Sequence, residues 1–292
     1  MGLFPALDWT DWLPLQGAWR SPSVPGKNGL YRIRIRGNAI VYIGQSGGRG
    51  GLRGRMGHLR GVFAAKMPYR DPHTAAPALW ALRHATGVEF EVSTAVVEGS
   101  TAHRKGMESV AIAQHRQEHG CSPAVNFGRM PPGWSMPSGN NRKLVAAGNR
   151  RQGCATSEAL LCHEPGVAPA GPLAGDLQGE RWAGHTWSPW AAIDGAARAA
   201  GDEQGFYRIR DATDTGRLLY IGEGLIAGRL LTHWRKRHGD NPQGRVFGRA
   251  VRVEASWVGG PWLPHQREEL ETDLIAAHVL SAGLPPPAQF IG

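Results

Sequence analysis

Four of the chain's five tyrosines sit in two blocks of one pattern: GLYRIRIRGNAIVYIGQSGG at residues 29–48 and GFYRIRDATDTGRLLYIGEG at 205–224. Each block sets two phenols, Tyr31 with Tyr42 and Tyr207 with Tyr220, on runs that read as adjacent strands of a hairpin. One phenol on an apolar sheet face is ordinary core filler whose hydroxyl finds a partner. Matched pairs, repeated 176 and 178 residues apart, point instead to a shared site. Each block is followed by an arginine and a histidine, Arg55 with His58 and Arg229 with His233, spaced to share a helical face. A guanidinium is a two-pronged phosphate ligand, and an imidazole beside it can orient or relay a proton. A solvated basic face is the plain alternative, and Arg53 competes with Arg55 for the arginine role. Glu108 shares a face with Ile112 and His115. A carboxylate on an apolar stripe is costly unless it is paired or holds a cation. Arg104, one turn earlier, is one partner, and a hard cation such as Mg²⁺, which uses one or two carboxylates plus waters, is the other. The second block has Glu271, with Glu268 one turn before it. GQSGGRGG, leading into a helix start, has the look of a phosphate cradle, but no GKS or GKT follows, and neither GxSxG nor HExxH occurs.

The elements that must position these residues are themselves duplicated. WTDWLPLQGA (9–18) matches WSPWAAIDGA (187–196), and GLRGRMGHLR (51–60) matches GRLLTHWRKR (228–237). ESVAIAQHRQEHGCSPAVNF (108–127) aligns without a gap to ETDLIAAHVLSAGLPPPAQF (271–290). Within each copy the order is strand, strand, helix, then strand and helix. GLYRIRIR alternates, with Tyr31, Ile33 and Ile35 on one face and Arg32, Arg34 and Arg36 on the other. GNA turns the chain into IVYIG. APALWALRHA reads as a helix, VEFEVSTAVV as a third strand, and TAHRKGMESVAIAQHRQEHG as a closing helix stopped by Gly120. GRAVRVEASWV and PHQREELETDLIAAHVLSAG repeat the last two. The expected fold is α+β: two domains, 1–128 and 181–292, each a three-stranded antiparallel sheet flanked by helices. They are joined by a Pro/Gly-rich linker, 129–180, carrying one short helix at 157–164.

Composition narrows the function classes. Lys and Arg number 33 against 24 Asp and Glu, and residues 1–128 hold 15 of the basic and 8 of the acidic side chains. That positive field suits a polyanionic partner. Cys121, Cys154 and Cys162 form no CxxC, which argues against a disulfide framework or zinc site and suits a reducing cytoplasm. The first residues lack the features of a signal peptide, and no apolar run is long enough to span a bilayer, so a cytoplasmic protein with no membrane partner is expected. Trp80, Trp134, Trp257 and Trp262 could stack on bases, although tryptophan more often packs in cores.

GLY…VYIG followed by Arg55, Glu108 and Asn126, and GFY…LYIG followed by Arg229 and Glu271, resemble the GIY-YIG nuclease superfamily. The resemblance covers roughly 29–128 and 205–292 and implies a metal-dependent DNA endonuclease, double-stranded DNA being the expected substrate. A restriction-, defence- or repair-like role would suit it. It implies that Tyr31 and Tyr42, with Tyr207 and Tyr220 in the second copy, position or deprotonate the attacking water. Arg55 and Arg229 would stabilise the pentavalent phosphate, and His58 and His233 would assist proton transfer. Glu108 and Glu271 would each hold one Mg²⁺ (or Mn²⁺) against the leaving oxygen, and Asn126 would fix the site by hydrogen bonds. Two such domains in one chain would act as an intramolecular pseudo-dimer. The arginine–histidine spacing differs between copies, which leaves both Arg53 and Arg55 open for the arginine role. Gln289 stands where the first copy has Asn126, and with its weaker positive balance the second copy is expected to be the less active. The rival readings are a nucleic-acid-binding protein that does not cut and a nuclease specialised for modified or damaged DNA.

Overall fold

The computed structural model describes residues 7–68, 75–135, 163–214 and 217–291. These form an α+β structure whose sheets are antiparallel throughout. The chain packs as two compact units, one from the described parts of 5–98 and 123–165, the other chiefly from 99–122 and 166–292.

The first unit holds β1 (Leu13–Pro14), β2 (Gly29–Ile35), β3 (Ile40–Ser46), α1 (Gly51–His58), α2 (Ala75–Thr86) and β4 (Phe90–Val96). The second begins with α3 (Thr101–His119) and a small hairpin, β5 (Arg181–Trp182) with β6 (His185–Thr186). It continues through β7 (Ala191–Ala192), α4 (Ile193–Ala200), β8 (Gln204–Asp211) and β9 (Tyr220–Leu225). It closes with α5 (Ile226–Lys236), α6 (Pro242–Arg249), β10 (Val253–Gly259) and α7 (Pro264–Ala282).

Each sheet has four strands rather than the three expected: β1-β4-β2-β3 and β7-β10-β8-β9. The additional strand is a two-residue edge from the duplicated Trp-x-x-Trp segment, pairing Leu13 with Val92 in one copy and Ala191 with Ala255 in the other. Two residues are too few to display an alternation, so no sequence period announces them.

The central pairing has one register in both copies. Tyr31 lies opposite Gly44 and Ile33 opposite Tyr42, as Tyr207 lies opposite Gly222 and Ile209 opposite Tyr220. Directly paired residues share a face, so both phenols of each copy point to the same side, with Ile33 or Ile209, into the core. Arg32 and Arg34, like Arg208 and Arg210, take the other side.

The closing helix of the first copy packs in the second unit, against α7. Ser100 caps the N-terminus of α3 by accepting from the His103 N–H, and Gly120 ends the helix at φ 72°. Arg116 of α3, fully buried, donates to both oxygens of Asp273 on α7 at 2.9 and 3.0 Å and lies 3.4 Å from Glu269. These asymmetric ionic contacts join α3 to α7.

The proposed linker helix at 157–164 falls almost wholly outside the described residues. The described ends of the linker are packed. Met130 is buried and Trp134 lies edge-on to Trp80 in the first unit. In the second unit Leu177 is buried, and the Val167 N–H donates to Glu269. Among the described residues no helix is long and apolar enough to cross a membrane.

Candidate active site

The second unit assembles a polar cluster around Tyr207. Its hydroxyl shares a 2.9 Å hydrogen bond with Nε2 of His233 on α5. The His233 ring packs 4.4 Å from Tyr220 and 5.4 Å from Phe247, between the sheet and α6. Burial first, then Lys236 and Arg229, push its pKa down to about 3, so the imidazole is neutral near pH 7. Arg229, one turn earlier on α5 and exposed, lies close enough for its charge to act on both Tyr207 and Tyr220. Burial holds the Tyr207 phenol well above its usual value, and the Tyr220 phenol is pushed up to about 12 for the same first reason. Both tyrosines are therefore protonated at neutral pH.

Glu271 on α7 completes the cluster, since its charge acts on both phenols. Its side chain is half-buried. Desolvation, then Glu223 of β9 and Glu268, raise its pKa to about 8 against the opposing pull of Arg229. Glu223 pairs with Arg267 at 2.8 Å, and Glu268 is exposed at the surface. The sequence counterparts of Glu223 and Glu268 in the first copy are Gln45 and Lys105. Glu268 stands one turn before Glu271 in the sequence, but Glu223 has no acidic counterpart in the first copy, so comparing the two halves does not flag it.

The glycines of the motif have a steric reason. Facing Tyr207, Gly222 leaves no room for a side chain: a Cβ would lie on the Tyr207 hydroxyl and 2.7 Å from a Tyr220 ring carbon. Gly44 is confined in the same way by the Tyr31 hydroxyl at 2.8 Å and by Tyr42. Gly29 and Gly205 sit where a Cβ would meet a carbonyl of the neighbouring strand. Both glycines of each motif are packing requirements of the paired phenols and strands.

The first unit brings together Tyr31 and Tyr42, ring centroids 5.8 Å apart, and Asn126. Asn126 accepts from the Ile43 N–H at 3.0 Å and donates to the Ile43 carbonyl at 2.9 Å, satisfying edge strand β3. Gln289 does the same work on β9, accepting from the Ile221 N–H at 3.1 Å. The longer amide thus keeps its hydrogen bond to the isoleucine of YIG, and the substitution gives no reason to expect a weakened second copy. Arg53 is exposed and donates to the Val24 carbonyl, whereas Arg55 is half-buried. His58 is exposed, and the next residue, Leu59, is buried. The different histidine spacing thus has a structural counterpart: His233 is turned inward to Tyr207 and His58 lies at the surface. Glu108 lies on α3, in the other unit. Arg104 donates to the Gly99 carbonyl and the Thr101 hydroxyl at the start of that helix.

Among the described residues no group of three or more His, Cys, Asp or Glu side chains forms a metal-binding cluster. The donor chemistry at Glu271 still suits a hard divalent ion. A single carboxylate whose charged form is disfavoured by burial and by two neighbouring carboxylates is relieved by a cation that brings its own waters. No family model, curated protein or solved structure matches this chain.

Proposed function

We propose that the chain is a metal-dependent endonuclease of the GIY-YIG type acting on DNA, and that the second copy carries a working site. The observation that supports this reading is one phenol, Tyr207, bonded to a neutral buried histidine, with the charges of Arg229 and Glu271 acting on it. Phosphodiester hydrolysis needs a positioned water, a proton acceptor, charge stabilisation and help for the leaving oxygen.

The residues divide these tasks. Tyr207 orients the attacking water through its hydroxyl, which the neutral His233 holds in place by the 2.9 Å hydrogen bond to Nε2. Arg229, exposed to substrate, stabilises the charge on the phosphoryl oxygens. Tyr220 limits where the water can sit. Glu271 would hold a Mg²⁺ or Mn²⁺ ion, which when bound supplies charge neutralisation at the leaving oxygen.

Supercoiled plasmid incubated with Mg²⁺ and the wild type, Glu108→Gln, Glu271→Gln or the double variant tests this. Loss of most cutting with Glu271→Gln assigns cleavage to the second copy. Cutting that survives Glu271→Gln and disappears with Glu108→Gln overturns the assignment. No cutting by any variant, beside salt-sensitive DNA binding, favours the non-cleaving reading.

A further inference from the structure

Behind each sheet, on the face away from the tyrosines, lies a second duplicated constellation. In the first unit Arg32 lies 4.5 Å over Trp9 and 4.7 Å over Trp12, with Arg34 4.2 Å over Trp12. In the second, Arg208 lies over Trp187 and Trp190 at 4.3 and 4.6 Å, with Arg210 over Trp190 at 4.1 Å. The supports also repeat: Ser93 donates to the Thr10 carbonyl as Ser256 donates to that of Ser188.

The copies differ in what the central guanidinium holds. Arg208 is fully buried and donates to the carbonyls of Leu177 and Gly179 at 2.8 and 2.7 Å. Those carbonyls belong to a turn at the end of the linker, which also brings the charge of Asp176 to bear on Arg208. Arg32 is half-buried, and among the described residues it has no hydrogen-bond acceptor. Its neighbours Arg34 and Arg36 share one carboxylate, Glu91. Among the described residues the first face thus pairs three guanidiniums with one carboxylate, and the position of Arg32 is one at which its twin is held by oxygens and a negative charge.

Resting on nucleic acid as the substrate, we propose that Trp9, Trp12, Arg32 and Arg34 form a separate contact for a nucleic-acid strand, remote from the tyrosine face. Arg32 takes phosphate oxygens, and the half-buried tryptophan rings lie against sugar or base. The uncompensated charge favours a phosphodiester over a neutral peptide, and arginine interleaved with aromatic rings suits a single strand.

The test is fluorescence anisotropy of a labelled single-stranded DNA of about 15 nucleotides, with the full chain in EDTA. Arg32→Gln is expected to weaken binding about tenfold, the value of one charge-assisted contact, and to lower the log–log salt slope by about 0.7. Arg32→Lys, which keeps the charge without the fork, should fall between. Should Arg32→Gln lose its circular-dichroism spectrum, Arg32→Lys with Trp9→Phe carries the test. Unchanged affinity and slope would overturn the proposal, as would Arg32-dependent binding of polyglutamate by a protein that ignores the oligonucleotide. Wild type that cuts nothing in Mg²⁺ yet binds DNA through Arg32 would remove only the nuclease reading.

Discussion

Gly222→Ala should destabilise the second unit although the backbone tolerates alanine there. Gly222 is absent from the positive-φ glycines, and removing glycine flexibility from such a position ordinarily stabilises by about 0.4–1 kcal/mol through the unfolded chain. Here the added methyl would overlap the Tyr207 hydroxyl and lie 2.6 Å from the carbon bearing it. Tyr207 cannot retreat, because it is fully buried and bonded to His233. Overpacking of this kind costs about 1–3 kcal/mol, so the clash outweighs the entropic gain. Net of that gain the loss is up to about 2.5 kcal/mol, which for a unit of this size lowers Tm by up to about 10 °C. Moving the phenol by about 1 Å should also reduce cleavage about a hundredfold. The comparison is Gly57→Ala on α1, where nothing lies within 4 Å of the added methyl. There the same change should stabilise by up to about 1 kcal/mol. Scanning calorimetry of both variants, with plasmid nicking alongside, decides the matter. Equal Tm shifts of one sign for the two alanines would refute the steric reasoning.

Other consequences can be measured directly. Burial depresses the pKa values of His185 and His278 to about 4, as it does His233 to about 3. Below about pH 6.5 the unfolded chain takes up protons that the folded chain refuses, so stability falls with pH between about 6.5 and 4. His115 is lowered to about 4 as well, while Glu271, raised to about 8, and Glu268, raised to about 7, work in the opposite sense down to about pH 4.5 and offset roughly two of the four histidines. The remainder is up to about 3 kcal/mol per pH unit, visible as a steep loss of Tm, and a flat Tm from pH 6.5 to 4.5 would contradict it. Gln289→Leu leaves the buried Ile221 N–H without its acceptor and should cost about 1–3 kcal/mol, read by urea denaturation, while Gln289→Asn should cost less.

Much of the fold was legible because the duplicated strands alternate and the long helices carry their own stops, Gly120 and Gly283, both in the left-handed region. The pairing of phenols followed from the hairpin register. What stayed hidden depended on partners distant in sequence. The inward turn of His233 and the outward turn of His58 reflect which helix position meets the sheet. Three apart and four apart read alike in one dimension. Asn126 and Gln289 look like different chemistry until both are seen bonding the isoleucine of an edge strand. The two-residue edges β1 and β7 are below the length at which a period exists.

The placement of α3 has the same origin and leads to the sharpest test of how the halves are joined. Counting along the ungapped alignment, Gly106 corresponds to Glu269, Val110 to Asp273 and Arg116 to Val279. In the structure a methyl at Gly106 would meet Val279, while Arg116 reaches Glu269 and Asp273. The α3–α7 pair thus uses equivalent positions twice, once with small and apolar residues and once with three buried charges. Removing one partner strands the others, so Asp273→Ala should cost about 3–5 kcal/mol. Removing all three charges together strands no charge, although the Val167 N–H loses its Glu269 acceptor and Ser122 its Arg116 donor. Arg116→Val, Glu269→Gly and Asp273→Val, the residues that the apolar half already uses, should cost less despite about 1 kcal/mol for a glycine within the helix. Urea denaturation of the single and triple variants decides between charge and shape. A triple variant less stable than Asp273→Ala would mean that the volume of Arg116 and the contacts to Val167 and Ser122, not charge compensation, hold α3 against α7.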